Sequence, residues 1–199
     1  MSAPEAAIAG TPTAPRPRIV QPCNFRYAGR LSNENARTLT TLHEKLALNV
    51  ASVLEVYLGA SLHMKLLSLE QLAVQDFIAA LVPNGYLLPC ALNVMESSFL
   101  MQMDTPLIVP IIDFLLGGAG TISAEVRELT EIDEEIMQSV GELIVKQIEL
   151  CWRTLDISLM PGRCIKAANI PRIFPANERL VVLTFEMQVA ETIGLFKLV

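Results

Sequence analysis

The residues most able to do chemistry in this chain are few. Gly117, Gly118 and Gly120 stand within four positions, with Ala119 between them, at the end of an apolar stretch. A glycine cluster can cradle a phosphate, but that motif needs a strand before it, a helix after it, and a Lys followed by Ser or Thr. Here a helical pattern precedes the glycines and Thr121-Ile122-Ser123 follows, so a phosphate loop is excluded. Two readings remain: glycine closing a helix in the left-handed conformation, or backbone left bare of side chains so that another surface can approach its amides. Nucleophilic catalysis finds little material. Ser61, Ser68, Ser97 and Ser98 have no glycine elbow, and the two histidines, His43 and His63, are far apart in apolar patterns. The four cysteines, Cys23, Cys90, Cys151 and Cys164, form no CxxC pair, so they read as reduced core thiols rather than metal ligands. Glu125, Glu128, Glu131, Asp133, Glu134 and Glu135 cluster before and at the start of a helix, where the helix dipole favours negative charge without any metal.

The elements that must position these residues follow from hydrophobic spacing. Leu39, Leu42, Leu46, Val50, Val53, Leu54 and Leu58 recur at three- and four-residue steps, which predicts a long amphipathic helix capped by Ser32 or Asn33 and ended by Gly59. A strand over residues 62–69 and a short helix within 69–81 follow, and then the turn Pro83-Asn84-Gly85. Residues 86–94 and 97–103 predict a hairpin joined at Met95-Glu96. Asp104 is placed to cap a helix over 105–116, with Pro106 harmless in its first turn and Pro110 a source of a kink. Thr130 with Asp133 resembles a capping box and opens a second long helix through Ile132, Ile136, Val140, Leu143, Ile144, Ile148 and Cys151. A strand over 155–165, an irregular connection through Pro171 and Pro175, and strands over 180–189 and 192–199 complete the chain.

The order long helix, strand, turn, hairpin thus occurs twice, over about residues 33–116 and 130–199, at an offset of roughly 95 residues. That repetition predicts an α+β fold with a pseudo-two-fold, in which two long helices pack on one or two antiparallel sheets. The alternative is coincidence between two ordinary α+β halves. Residues 1–21, rich in Ala and Pro, read as a flexible leader.

Composition narrows the function. With 199 residues, 52% of them hydrophobic and 18% charged, the chain can bury a substantial core and is expected to show apolar surface to a partner. Met95, Met101, Met103 and Met137 are read as core filler, a residue type that also suits interfaces when exposed. A formal charge of −6 offers no clustered cation excess for nucleic acid. The longest apolar run, residues 106–116, is broken by Asp113 and is too short for a transmembrane segment.

Pro22-Cys23-Asn24-Phe25-Arg26-Tyr27-Ala28-Gly29-Arg30-Leu31-Ser32, with Leu42-His43-Glu44-Lys45-Leu46-Ala47 after it, resembles the opening of the middle domain of the FliM family of flagellar motor switch proteins. Ser68-Leu69-Glu70-Gln71-Leu72, the stretch from Asp104 to Gly120, Leu129-Thr130-Glu131-Ile132-Asp133, and Asn177-Glu178 with Val181, Val182, Thr184, Phe185 and Glu186 continue the match in order. The resemblance implies a CheC-like α/β/α fold over residues 22–199. It implies a non-catalytic component of the flagellar C-ring that helps set rotation direction in chemotaxis, at the cytoplasmic face of the inner membrane in the basal body. Such a domain packs laterally against copies of itself and binds FliG through a Gly-Gly-Xaa-Gly segment. Here that segment is Gly117, Gly118, Ala119 and Gly120, with Asp113 supporting it.

The family's short segment that binds phosphorylated CheY, of the type Leu-Ser-Gln-Xaa-Glu-Ile-Asp, has no counterpart in residues 1–20. The C-terminal domain that pairs with FliN is expected to be missing, since the sequence stops in a strand at Val199. The same fold includes CheY phosphatases of the CheC and FliY type, which place Asn three residues after a Glu on a long helix. No glutamate here has that neighbour, and the corresponding positions are Ser139 and Glu142. An anionic Glu in place of a neutral amide opposes attack by water on a phosphate. No enzyme, cofactor or metal is expected; the alternative function is a CheY-binding or residual CheY-phosphatase module.

Overall fold

A computed structural model describes residues 31–81, 84–93, 98–120 and 127–199. Helix α1 (Asn33–Leu58) starts where the Ser32 hydroxyl accepts the Asn35 N–H at 3.1 Å and stops at Gly59, whose φ of 63° ends the helix. Its inner stripe is His43, Leu46, Ala47, Val50, Leu54 and Leu58, the three- and four-residue spacing that the sequence displays. Strand β1 (Leu62–Ala73) and a single-turn helix α2 (Val74–Ala79) follow. Strands β2 (Tyr86–Leu92) and β3 (Ser98–Met103) pair as a hairpin, Tyr86 opposite Met103 and Ala91 opposite Ser98. Its expected turn residues, Met95 and Glu96, lie outside the described residues. Helix α3 (Thr105–Leu115) comes next, and helix α4 (Glu131–Cys151) opens with a complete capping box between Thr130 and Asp133. After a three-residue strand β4 (Leu159–Pro161) and a 3-10 helix over Ala167–Arg172, β5 (Arg179–Val189) and β6 (Thr192–Leu198) form a second hairpin.

The six strands among the described residues join one sheet, in the order β1-β5-β6-β3-β2-β4, with every pairing antiparallel. Exchanging β1 with β4, β2 with β5 and β3 with β6 turns this order into its own reverse. The pseudo-two-fold expected from the repetition is therefore written in the sheet, with its centre between β3 and β6. There Met103 faces Phe196 and Met101 faces Leu198, and Leu100 and Val199 exchange backbone hydrogen bonds of 2.9 and 3.0 Å. Each outer pair, β1 with β5 and β2 with β4, joins a strand of one half to a strand of the other.

Alternating strand residues feed two apolar layers. Tyr86, Leu88, Met101, Phe185, Met187 and Phe196 meet α1, α3 and α4 in the larger core. Leu87, Leu100, Leu180 and Val182 meet Phe77 of α2 with Ile170 and Phe174 on the opposite face. The helical cover is thus unequal: α1, α3 and α4 on one side, and the short α2 with the 3-10 helix on the other.

Three sequence expectations are corrected. The helix expected within 69–81 is only Val74–Ala79, because β1 runs on to Ala73 with Gln71 opposite Val181. A bulge between Leu66 and Ser68 shifts the alternation, so Leu62, Met64, Leu66 and Leu69 face one core at spacings of two, two and three. That last step imitates helical periodicity. The strand expected over 155–165 shrinks to Leu159–Pro161. Pro161, opposite Cys90, lacks an N–H for a longer ladder, and so does Pro89, the residue before Cys90 on β2, whose carbonyl accepts the Gly162 N–H at 2.8 Å. Finally, Asp104 occupies the cap position of α3, but its side chain makes no cap bond. It accepts instead from Gln102 Nε2 at 3.2 Å and from the Leu195 N–H of β6 at 3.3 Å.

Candidate functional site: the glycine loop at the end of helix α3

Helix α3 is apolar enough to be buried along most of its length: Leu107, Ile108, Ile111 and Ile112 are all in the core. It lies close on β6, since a Cβ at Gly194 would come within 2.7 Å of Leu107 Cγ. Pro110 is buried within it, and the helix continues past it to Leu115. At Asp113 and Phe114 the chain begins to emerge, and residues 116–119 are exposed.

The helix ends in a Schellman motif. The Gly117 N–H donates to the Phe114 carbonyl at 3.0 Å and the Gly118 N–H to the Asp113 carbonyl at 2.8 Å, with Gly117 at φ 87°. The Asp113 carboxylate then reaches over the turn, where its Oδ2 accepts the Gly120 N–H at 2.8 Å. A Cβ on Gly118 would collide with that carboxylate, and one on Gly120, at φ 79°, with the Phe114 ring. These two glycines are therefore required by the loop's inward packing. The amides of Gly117, Gly118 and Gly120 all have acceptors inside the loop, so the segment does not offer them to an approaching surface. What it turns outward is the side chain of Leu116, 72% exposed, and that of Ala119. Nothing in the sequence marks Leu116 as a surface residue. It looks like one more residue of an apolar helix, and only the position of the helix end exposes it.

Glu125 of the acidic cluster lies outside the described residues, and the other members stand before and at the start of α4. Thr130 donates its N–H and its hydroxyl to Asp133 Oδ2, each at 2.8 Å, and the Arg127 guanidinium donates to Asp133 Oδ1 at 3.0 Å. Arg127 foremost, with the Thr130 bonds, holds the Asp133 carboxyl well below the usual carboxylate range. Glu135 pairs with Arg163, and Glu128 lies 3.9 Å from Lys166. Among the described residues no three His, Cys, Asp or Glu side chains gather as a metal site. Ser139 and Glu142 are both exposed on α4, and Glu142 accepts from Gln138 at 3.4 Å.

His43 is a core residue. Its Nδ1 donates to the Leu39 carbonyl at 2.8 Å, its ring meets Trp152 edge-on, and burial lowers its pKa. Burial pushes the Cys90 thiol up to about 12, the state of an inert core cysteine. A cavity of about 580 Å³, which includes His43, Trp152, Phe99 and Leu180 in its walls, also escaped the sequence reading. It is built from side chains distant in the chain, and no local pattern marks it. No helix among the described residues is long and apolar enough to cross a membrane.

Comparison with known proteins places this geometry. The family model described as flagellar motor switch protein FliM matches residues 32–199. FliM of Treponema pallidum is 27% identical over 173 residues, covering 86% of this chain and 50% of the relative. FliM of Borreliella burgdorferi is 26% identical over 191 residues, covering 94% and 54% respectively. The chain thus spans about half the length of the relatives it matches. Among solved structures, a chain of the FliG–FliM complex from H. pylori superposes with a TM-score of 0.80 at 20% identity, covering 84% of this chain and 93% of that one. The FliM middle domain from H. pylori gives 0.74 at 19% identity, covering 84% and 92%. A mixed fold of long helices on one antiparallel sheet is common to them, and the match over residues 32–199 makes this chain a member of the FliM family of flagellar motor switch proteins.

Proposed function

We propose that this chain is a non-catalytic structural and switching component of the bacterial flagellar rotor. It belongs to the C-ring, at the cytoplasmic face of the inner membrane, and it helps set the direction of rotation in chemotaxis. Its partners are FliG, met through Gly117, Gly118, Ala119 and Gly120 as braced by Asp113, and other copies of itself packed side by side.

The observation that carries this reading is the family match over residues 32–199. The H. pylori complex of FliG with FliM, whose fold this chain shares, supports FliG as the partner. The loop's geometry adds a physical reason for its location: a rigid turn at the end of a buried helix can transmit a push to the sheet through Leu107 and Gly194. Titration of the chain with FliG from the same organism, followed by calorimetry and NMR, tests it. Saturable binding with shifts centred on residues 117–120 is expected. Gly118→Asp, which sets a second carboxylate against Asp113, abolishes binding while the melting transition moves little. Binding that is absent, or that maps elsewhere, overturns the reading.

A further inference from the structure

The loop's chemistry can be specified further, on the reading that it meets FliG. A loop that recognises a partner through backbone donors must keep those donors free. This one does not: Gly117, Gly118 and Gly120 all donate inward, to the Phe114 carbonyl, the Asp113 carbonyl and the Asp113 carboxylate. The Asp113 carboxylate is itself turned toward the loop and fills the volume beside Gly118. The side chains the loop turns outward are therefore small in number and apolar: Leu116 at the helix cap and Ala119, beside the bare Cα of Gly117, where an added Cβ would meet nothing.

From this geometry we infer that Leu116 and Ala119 make the contact as an apolar knob, and that Asp113 is a positioning residue which locks the loop beneath them. The partner surface is then an apolar depression on FliG, not an array of acceptors aimed at glycine amides. Leu116 cannot turn inward to join the core without undoing the cap, because its own N–H is spent on the Ile112 carbonyl at 3.0 Å and Gly117 fixes the reversal that follows. The roles separate cleanly: Leu116 supplies contact, Asp113 supplies shape.

The experiment uses the full chain and FliG of the same organism. Leu116→Ser weakens binding roughly 10-fold or more, as expected for a buried anchor at an interface, without moving the melting transition. Asp113→Ala weakens binding and accelerates hydrogen exchange at the Gly120 amide, whereas Asp113→Asn, which keeps an acceptor oxygen, retains both binding and protection. The exchange measurement needs no partner. If the unaltered chain binds FliG and Leu116→Ser binds equally well, the apolar contact is wrong while the FliG reading stands. Equal Gly120 exchange in the unaltered chain and in Asp113→Ala overturns the lock. Failure of the unaltered chain to bind FliG removes the reading on which the inference rests.

Discussion

The two halves of the molecule use the same order of elements and begin their long helices differently. Helix α1 starts with one exposed bond, from the Asn35 N–H to the Ser32 hydroxyl. Helix α4 starts with a reciprocal Thr130–Asp133 box and an arginine locked onto a nearly buried carboxylate. The outer strands differ as much, since β1 pairs with β5 from Leu62 to Ala73 while β4 touches β2 only from Cys90 to Leu92. Strand order is what the halves share. Interior pairings are set jointly by both halves and leave little room to vary, whereas a helix start or sheet edge can be rebuilt locally.

That contrast orders the expected effects of substitution. The largest belongs to residues that serve both halves. Phe185, on β5, lies against Phe196 with ring centroids 5.8 Å apart and against His43 of α1 at 6.5 Å. Phe185→Ala costs about 3–5 kcal/mol. Urea unfolding followed by Trp152 fluorescence and by far-ultraviolet circular dichroism shifts together, and separate transitions would break the claim that the halves form one cooperative unit. Next comes the junction of α3 with β6: Gly194→Ala forces Leu107 to move and costs about 1–3 kcal/mol by the same assay.

The smaller effects are local to the helix starts: Asp133→Ala at α4 loses about 1 kcal/mol at neutral pH, and Ser32→Ala at the simpler start of α1 loses least. The pH dependence has a definite sign. The folded Asp133 carboxyl lies below its unfolded value, so its contribution is complete above about pH 4 and is lost as pH falls through the lowered value. The gap between the unaltered chain and Asp133→Ala therefore narrows in acid. Asp104 works in the opposite sense. Burial raises its carboxyl despite Leu195, Lys197 and Gln102 nearby, so its contribution is full below the unfolded value and fades as pH rises through the folded one. Thermal melts from pH 7 down to the most acidic pH at which the chain still folds separate the two.

How much of this was legible in the sequence depended on whether a signal was local. Ser32, Gly59 and the Thr130–Asp133 box mark both long helices correctly, because capping is decided within a few residues. The repetition of the two halves anticipated a fold that the sheet order displays. Position alone misled at Asp104, whose carboxylate answers to Leu195, a residue of β6 that no short window contains. At 69–73 the bulge in β1 disguised a strand as a helix. The glycine loop was visible as a motif, but the reason for its glycines was not. That reason needs Asp113 and Phe114 folded back over the turn. Leu116 stayed hidden because exposure is not written in residue type.

The crossing of strands between halves has a consequence for how the chain is made. Leu62 waits for Val189, so its strand cannot complete its hydrogen bonds to β5 until the residues through Val189 have been synthesised. At ordinary rates of synthesis that interval lasts roughly 6 to 25 seconds. During it the first half presents β1 as an unpaired edge beside an amphipathic helix, a surface prone to join a neighbouring nascent chain. The interleaved sheet makes that danger greatest during translation and closes it only when the hairpin of β5 and β6 arrives.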